Sequence, residues 1–139
     1  MLNVPLENIM SEHPIKVKEN IRLASVSHLL LRYRINGVLV VRNGDENKLL
    51  GIFTTTDLLK LVDKALAKKH QRIAELKKVA MMEVGQVASR SIVSLQKNDT
   101  VAKAIAVMHK KNVHTIPIYD KDRLIGVIGK HDILNMALA

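Results

Sequence analysis

The chain has 139 residues, 47% of them apolar, and a formal net charge of +9 from 22 Lys and Arg against 13 Asp and Glu. That length suits one domain, or two small halves sharing one core, and the charge favours anionic partners (nucleotides, nucleic acid, acidic proteins) beside the plain reading of a solvated basic surface. With no Cys, no Trp, one Phe and two Tyr, disulfides, thiolate metal sites and Cys nucleophiles are excluded, and sites built on stacked aromatics are not expected.

The opening MLNVPLENIM lacks a charged segment followed by an apolar run, so it does not read as a signal peptide. No apolar run approaches the ~20 residues of a membrane span. A soluble, cytoplasmic protein with no membrane partner is expected. Residues 15–17 read as a short apolar strand. Leu23, Val26, Leu29, Leu30 and Tyr33 keep helical spacing. Two strands follow, GVLVV at 37–41 and KLLGIF at 48–53, with the turn pair Asn43-Gly44 between them. A second helix starts near Thr55 and carries Asp57 in its first turn. Residues 61–82 are rich in Ala and Lys with no Pro or Gly, so they should extend that helix. Leu58, Val62, Leu66, Ile73, Leu76 and Ala80 form its apolar stripe, and its six Lys/Arg against Asp63 and Glu75 read as a solvated face rather than a docking or nucleic-acid surface.

The same order then recurs. Residues 92–95 read as a short apolar segment interrupted by Ser94, and Asn98 or Asp99 can cap a helix bearing Val101, Ala104, Ile105 and Met108. The strands TIPIY and RLIGVIG follow, and a last helix starts near Lys130 with Asp132 in its first turn. Residues 6–60 lie over 84–135 with an offset of 78 up to the middle of the unit and 75 after it. RNGDENK separates Val41 from Leu49 where DKDR separates Tyr119 from Leu124, so the change of three is expected as a longer turn. GIFTTTDLL at 51–59 and GVIGKHDIL at 126–134 are thus one phrase written twice. A period this long means two copies of one supersecondary unit, each strand, helix, strand, strand, helix, and hence an α+β fold. The expected division is repeat one at 1–62, a helical linker at 63–82 and repeat two at 83–139.

These pieces resemble a tandem pair of cystathionine β-synthase (CBS) domains, a Bateman module. The matching segments are IMSEHPIKVKENIRLASV, INGVLVV and LLGIFTTTDLL, then VASRSIVSLQKNDTVAKAIAVM, VHTIPIY and LIGVIGKHDIL. The resemblance covers nearly the whole chain. It implies two β-α-β-β-α repeats packed sheet to sheet with pseudo-twofold symmetry. It also implies a regulatory homodimer that binds AMP, ADP, ATP or S-adenosylmethionine in an inter-repeat cleft and acts on an unidentified partner in trans. Neither a catalytic role nor a required cofactor is expected.

Carried over position by position, the resemblance sets one cleft from Thr54, Thr56 and Asp57, the segment from Ala88 to Val93, and Val113, His114, Thr115 and Pro117. The carboxylate would accept ribose hydroxyls, and the helix start would offer donors to phosphate. A second, weaker cleft takes Lys130, His131 and Asp132. There Gly129 stands where a Thr or Ser would be, and Leu39 replaces the Pro. Some family members carry Arg or His where this chain reads Ile35-Asn36-Gly37, which argues against a triphosphate and leaves AMP, ADP or an uncharged adenosyl ligand. Arg32, Arg34 and Lys130 are the cations that could compensate.

Structural readings stand beside these. Asp57 and Asp132 can simply offset a helix dipole, Thr54 and Thr56 can cap, and Pro117 can mark a strand edge. The six histidines (13, 28, 70, 109, 114, 131) show no metal-ligand spacing, and neither a Walker A phrase nor a Ser-His-Asp order is found. Two alternatives remain open: a nucleic-acid-binding protein using its basic surface, and a purely structural dimerisation module.

Overall fold

The structure, a computed structural model, describes residues 3–138. They form two compact units, one of residues 15–91 and one of residues 3–14 with 92–138. The first holds β1 (Lys16–Lys18), α1 (Leu23–Tyr33), β2 (Gly37–Arg42), β3 (Asp45–Thr54), α2 (Thr55–Leu66), α3 (Arg72–Met81) and α4 (Val84–Val87). The second holds a 3-10 turn (Leu6–Asn8), β4 (Leu95–Gln96), α5 (Val101–Lys111), β5 (Thr115–Asp120), β6 (Arg123–Gly129) and α6 (Lys130–Leu138). Each unit has a three-stranded sheet, ordered β1-β2-β3 and β4-β5-β6, with the first pair parallel and the second antiparallel. The expected α+β class and the order of elements are what the chain adopts.

Each core is aliphatic, as the shortage of aromatics requires. In the first unit Val17, Leu23, Val26, Leu30, Val38, Val40 and Phe53 cluster with Val84 and Ala88. In the second Leu95, Val101, Ala104, Ile116, Ile118, Ile128 and Ile133 cluster with Leu6. Leu6 and Val84 are equivalent positions of the duplication, and each is fully buried in the core of the other copy. The exchange is fixed by backbone bonds. Leu6 N–H donates to the Asp99 carbonyl (2.8 Å) and Val101 N–H to that of Val4 (3.0 Å). In the first unit Val84 N–H donates to the Ile21 carbonyl (2.8 Å) and Leu23 N–H to that of Met82 (2.9 Å).

Four expectations change. The three extra residues of the first copy do not lengthen the turn. Both hairpins close on two residues, Asn43-Gly44 and Lys121-Asp122, since Arg42 faces Asp45 and Asp120 faces Arg123. Gly44 supplies the positive φ (+91°) and Lys121 adopts one of +55°. The insertion is instead a bulge at residues 46–48, because Val41 faces Leu49 while Arg42 faces Asp45.

The long helix is also broken. α2 stops at Leu66 and α3 starts at Arg72, although no Pro or Gly intervenes. A straight helix over 55–82 would run roughly 40 Å and carry Val79 away from the core it packs against. Burial overrides propensity here. As a result Leu66 and Ile73, expected in the buried stripe, are 43% and 72% exposed.

The cap of α5 is Thr100, whose hydroxyl accepts from Lys103 N–H at 3.3 Å, in place of Asn98 or Asp99. Asp99 instead closes the preceding turn, accepting from Gln96 N–H (2.8 Å) and Lys103 Nζ (3.1 Å).

Finally, the strand expected at 92–95 shrinks to Leu95–Gln96. The reason is Pro117. In the first copy Leu39 N–H donates to the Ile15 carbonyl at 3.1 Å. Pro117 stands at the matching place of β5 and has no N–H to give to Val93. No helix among the described residues is long and apolar enough to cross a membrane.

Candidate functional site

The repeated phrase has a physical basis at both ends. Its glycine admits a neighbouring chain. Ile52, next to Gly51, exchanges two backbone bonds with Ser89, Ile52 N–H to Ser89 O at 3.0 Å and Ser89 N–H to Ile52 O at 2.9 Å. A Cβ on Gly51 would lie 2.7 Å from the Ser89 carbonyl oxygen and 2.9 Å from Ala88 Cβ. The second copy repeats this. Val127 exchanges bonds of 2.9 and 3.1 Å with Ser11, and a Cβ on Gly126 would lie 2.9 Å from the Ser11 carbonyl oxygen. Gly is therefore required by close backbone approach rather than by a turn.

The aspartate of the phrase closes a capping box. Asp57 Oδ2 accepts from Thr54 N–H and from the Thr54 hydroxyl, both at 2.9 Å, while Thr54 Oγ1 accepts from Asp57 N–H at 3.2 Å. Thr55 N–H donates to the Asn36 carbonyl at 2.8 Å. Among the described residues this leaves Asp57 Oδ1, the Thr56 N–H and the exposed Thr56 hydroxyl without partners. In the second copy Asp132 Oδ2 accepts from Gly129 N–H at 2.9 Å, and Gly129 has no hydroxyl to return the bond. The structural reading of both aspartates is thus realised, yet half of each carboxylate remains available as an acceptor.

Of the residues carried over from the resemblance, Thr54, Thr56, Asp57 and Ala88 lie together in the first unit. Ala88 is brought beside the phrase by the Ser89–Ile52 pairing. Arg90 secures that segment, donating from Nη1 to the Leu50 carbonyl (3.0 Å) and from Nη2 to that of Gly85 (2.7 Å). Arg90 lay within the segment the resemblance indicated, but its clamp has no sequence signal.

Val93, Val113, His114, Thr115 and Pro117 lie in the second unit with Lys130, His131 and Asp132. His114 O accepts from Lys130 N–H at 2.9 Å, and Thr115 faces Gly129 across the hairpin. Side chains of His114, Lys130, His131 and Asp132 are exposed, while Pro117 is buried in the central strand, not at a sheet edge. Because Pro117 lacks an N–H, the Val93 carbonyl has no donor among the described residues, unlike Ile15 in the first copy. No group of three or more His, Asp or Glu among the described residues is placed to hold a metal ion.

A family model for the CBS domain matches residues 6–64 and 84–139. The chain belongs to the CBS domain family. The two matched stretches make it a CBS pair, with the internal duplication read from its sequence. Similar solved structures have the same fold. The CBS-domain containing protein ATU1752 from Agrobacterium tumefaciens superposes with a TM-score of 0.80 at 20% identity, covering 97% of this chain and 100% of that one. The CBS domain pair of protein MJ0100, solved in complex with 5′-methylthioadenosine and S-adenosyl-L-methionine, gives a TM-score of 0.74 at 24% identity, covering 96% of this chain and 95% of that one.

Among curated relatives, protein MJ1225 of Methanocaldococcus jannaschii is 23% identical over 95% of this CBS pair and 46% of its own length. A homoserine O-acetyltransferase of Methanococcus vannielii is 28% identical over 94% of this chain and 24% of its own. The chain thus spans half or less of these relatives.

Proposed function

We propose that this CBS pair is a regulatory module that senses an adenine nucleotide or related adenosyl ligand (AMP, ADP, ATP or S-adenosylmethionine) and acts on a partner protein in trans. Its two repeats, 1–62 and 83–139 joined by the linker 63–82, act as one non-catalytic device in the cytoplasm. The observation that carries the reading is the Val93 carbonyl freed by Pro117. A backbone acceptor without a donor among the described residues, beside the buried Pro117, suits the exocyclic amine and flat face of an adenine. Base recognition is assigned to Val93, Val113, His114, Thr115 and Pro117.

Ribose recognition is assigned to Asp57 Oδ1, the half of the carboxylate that the cap does not use. Thr56 offers a hydroxyl and a helix-start N–H to phosphate. With Asn36 and Gly37 where a cation would help, mono- and diphosphates or an uncharged adenosyl group suit the chain better than a triphosphate. The adenosyl complex of the MJ0100 pair supports the ligand class. Lys130, His131 and Asp132 would serve a second, weaker site. Leu59 and Leu134 are equivalent positions of the duplication, both exposed at 68% and 45%. They are assigned to a homodimer contact.

Isothermal titration with AMP, ADP, ATP and S-adenosylmethionine at two salt concentrations tests the reading. One ligand should bind wild-type protein at both salts, and Asp57→Ala should lose it while staying folded. The capping cost of that change is about 1 kcal/mol, so Asp57→Asn, which keeps an acceptor for the cap, serves as the control of fold. Failure of all four ligands to bind would sink the proposal.

A further inference from the structure

The corner between α2 and α3 carries a surface that ligand sensing does not use. Within eight residues it exposes two apolar side chains, Leu66 (43%) and Ile73 (72%), around four basic ones, Lys68, Lys69, His70 and Arg72. Arg72 Nε donates to the Leu66 carbonyl at 3.1 Å, which closes the corner and holds its two apolar ends to one turn. Among the described residues Lys68, Lys69 and Arg72 pair with no carboxylate. From Lys60 to Lys78 the chain has seven Lys or Arg against two acidic residues, which is more than half of the whole net charge of +9.

The geometry points to this corner as a docking surface for an anionic lipid bilayer. A bilayer surface can hold a protein that has no span. Short cationic clusters are drawn to acidic headgroups, and flanking apolar side chains enter the boundary beneath them. Duplex nucleic acid would satisfy the lysines but leave Leu66 and Ile73 facing phosphate and water, and the corner has no aromatic ring to stack on a base. The charge and the apolar pair together therefore favour a lipid surface. The binding is reversible and salt-dependent, because only two apolar side chains enter.

The test is co-sedimentation of the full chain with phosphatidylcholine vesicles, with and without a phosphatidylserine fraction, at low and high salt. Anisotropy with a labelled duplex DNA forms a parallel arm. Wild-type protein should partition onto the phosphatidylserine vesicles at low salt and leave them at high salt. Each lysine near the surface contributes about fivefold, so Lys68→Glu with Lys69→Glu should lower partitioning about 25-fold or more. Leu66→Ser with Ile73→Ser should weaken it at low salt. All four residues are exposed, and far-UV circular dichroism checks that each variant is folded; Lys68→Gln with Lys69→Gln replaces the charge reversal if that variant is not. Equal partitioning onto both vesicle types, no partitioning at low salt, or wild-type behaviour in both double variants overturns the proposal. So does tighter binding to duplex DNA that Leu66→Ser with Ile73→Ser leaves unchanged, which would make the corner a nucleic-acid surface.

Discussion

Gly51 and Gly126 are the residues at which one atom decides the packing of a whole segment. A methyl group on Gly51 would meet a backbone carbonyl oxygen at 2.7 Å, and backbone cannot move aside as a flexible side chain does. Gly51→Ala should therefore cost about 1–3 kcal/mol and loosen the Ser89 pairing, read as a lower denaturation midpoint and faster amide exchange at Ile52 and Ser89. Gly126→Ala should do the same at Val127 and Ser11. An unchanged midpoint in both would mean that the strands part without cost. The repeated Gly and Asp of the phrase were visible in the sequence as a pattern. Their reasons differ: the glycine answers to a distant segment, whereas the aspartate answers to its own helix start three residues back. Only the second could be read locally, because capping is a matter of neighbouring residues.

At the scale of elements, the opening segment of each copy belongs to the core of the other. Leu6 is fully buried among Leu95, Val101, Ile116 and Ile118, so Leu6→Ala should cost about 2–5 kcal/mol, measured by chemical denaturation. A cost under half a kcal/mol would show that the segment is only loosely held. The turn before α5 has its own pH signature. Burial works to raise the Asp99 pKa, but the Gln96 amide and Lys103 hold it below its ordinary value of 3.8. A lowered folded value means stability that is fully present above the unfolded pKa and is lost as pH falls through the folded one. Wild-type protein should thus lose stability on acidification below about pH 4, and Asp99→Asn should flatten that part of the profile. Identical acid profiles for the two proteins would dismiss the Asp99 contribution. Helix periodicity and the hairpin turn residues foretold these elements well. The break at 67–71 and the bulge at 46–48 carry no local signal, because no Pro or Gly marks either one.

For the whole molecule, the prediction concerns self-association. The duplication places an exposed leucine at the same helical position in both copies, Leu59 and Leu134. Sedimentation equilibrium should find a dimer, and Leu59→Glu or Leu134→Glu should weaken it by at least tenfold without lowering the unfolding midpoint of the monomer. A monomeric wild type, or variants that dimerise as tightly, would remove these leucines from the contact.

The sequence by itself determined that the chain is a duplicated aliphatic α+β unit, the order of its elements, the two hairpins and the starts of the phrase helices. Those features rest on periodicity, turn chemistry and capping, which act over a few residues. Only the tertiary structure decided that Leu6 and Val84 trade cores, that α2 and α3 part company to pack Val79 against the core, and that Pro117 shortens β4 and leaves the Val93 carbonyl without a donor among the described residues. Each of these depends on which segments meet across tens of residues. Burial and the accounting of backbone hydrogen bonds settle that choice, and no local pattern encodes it.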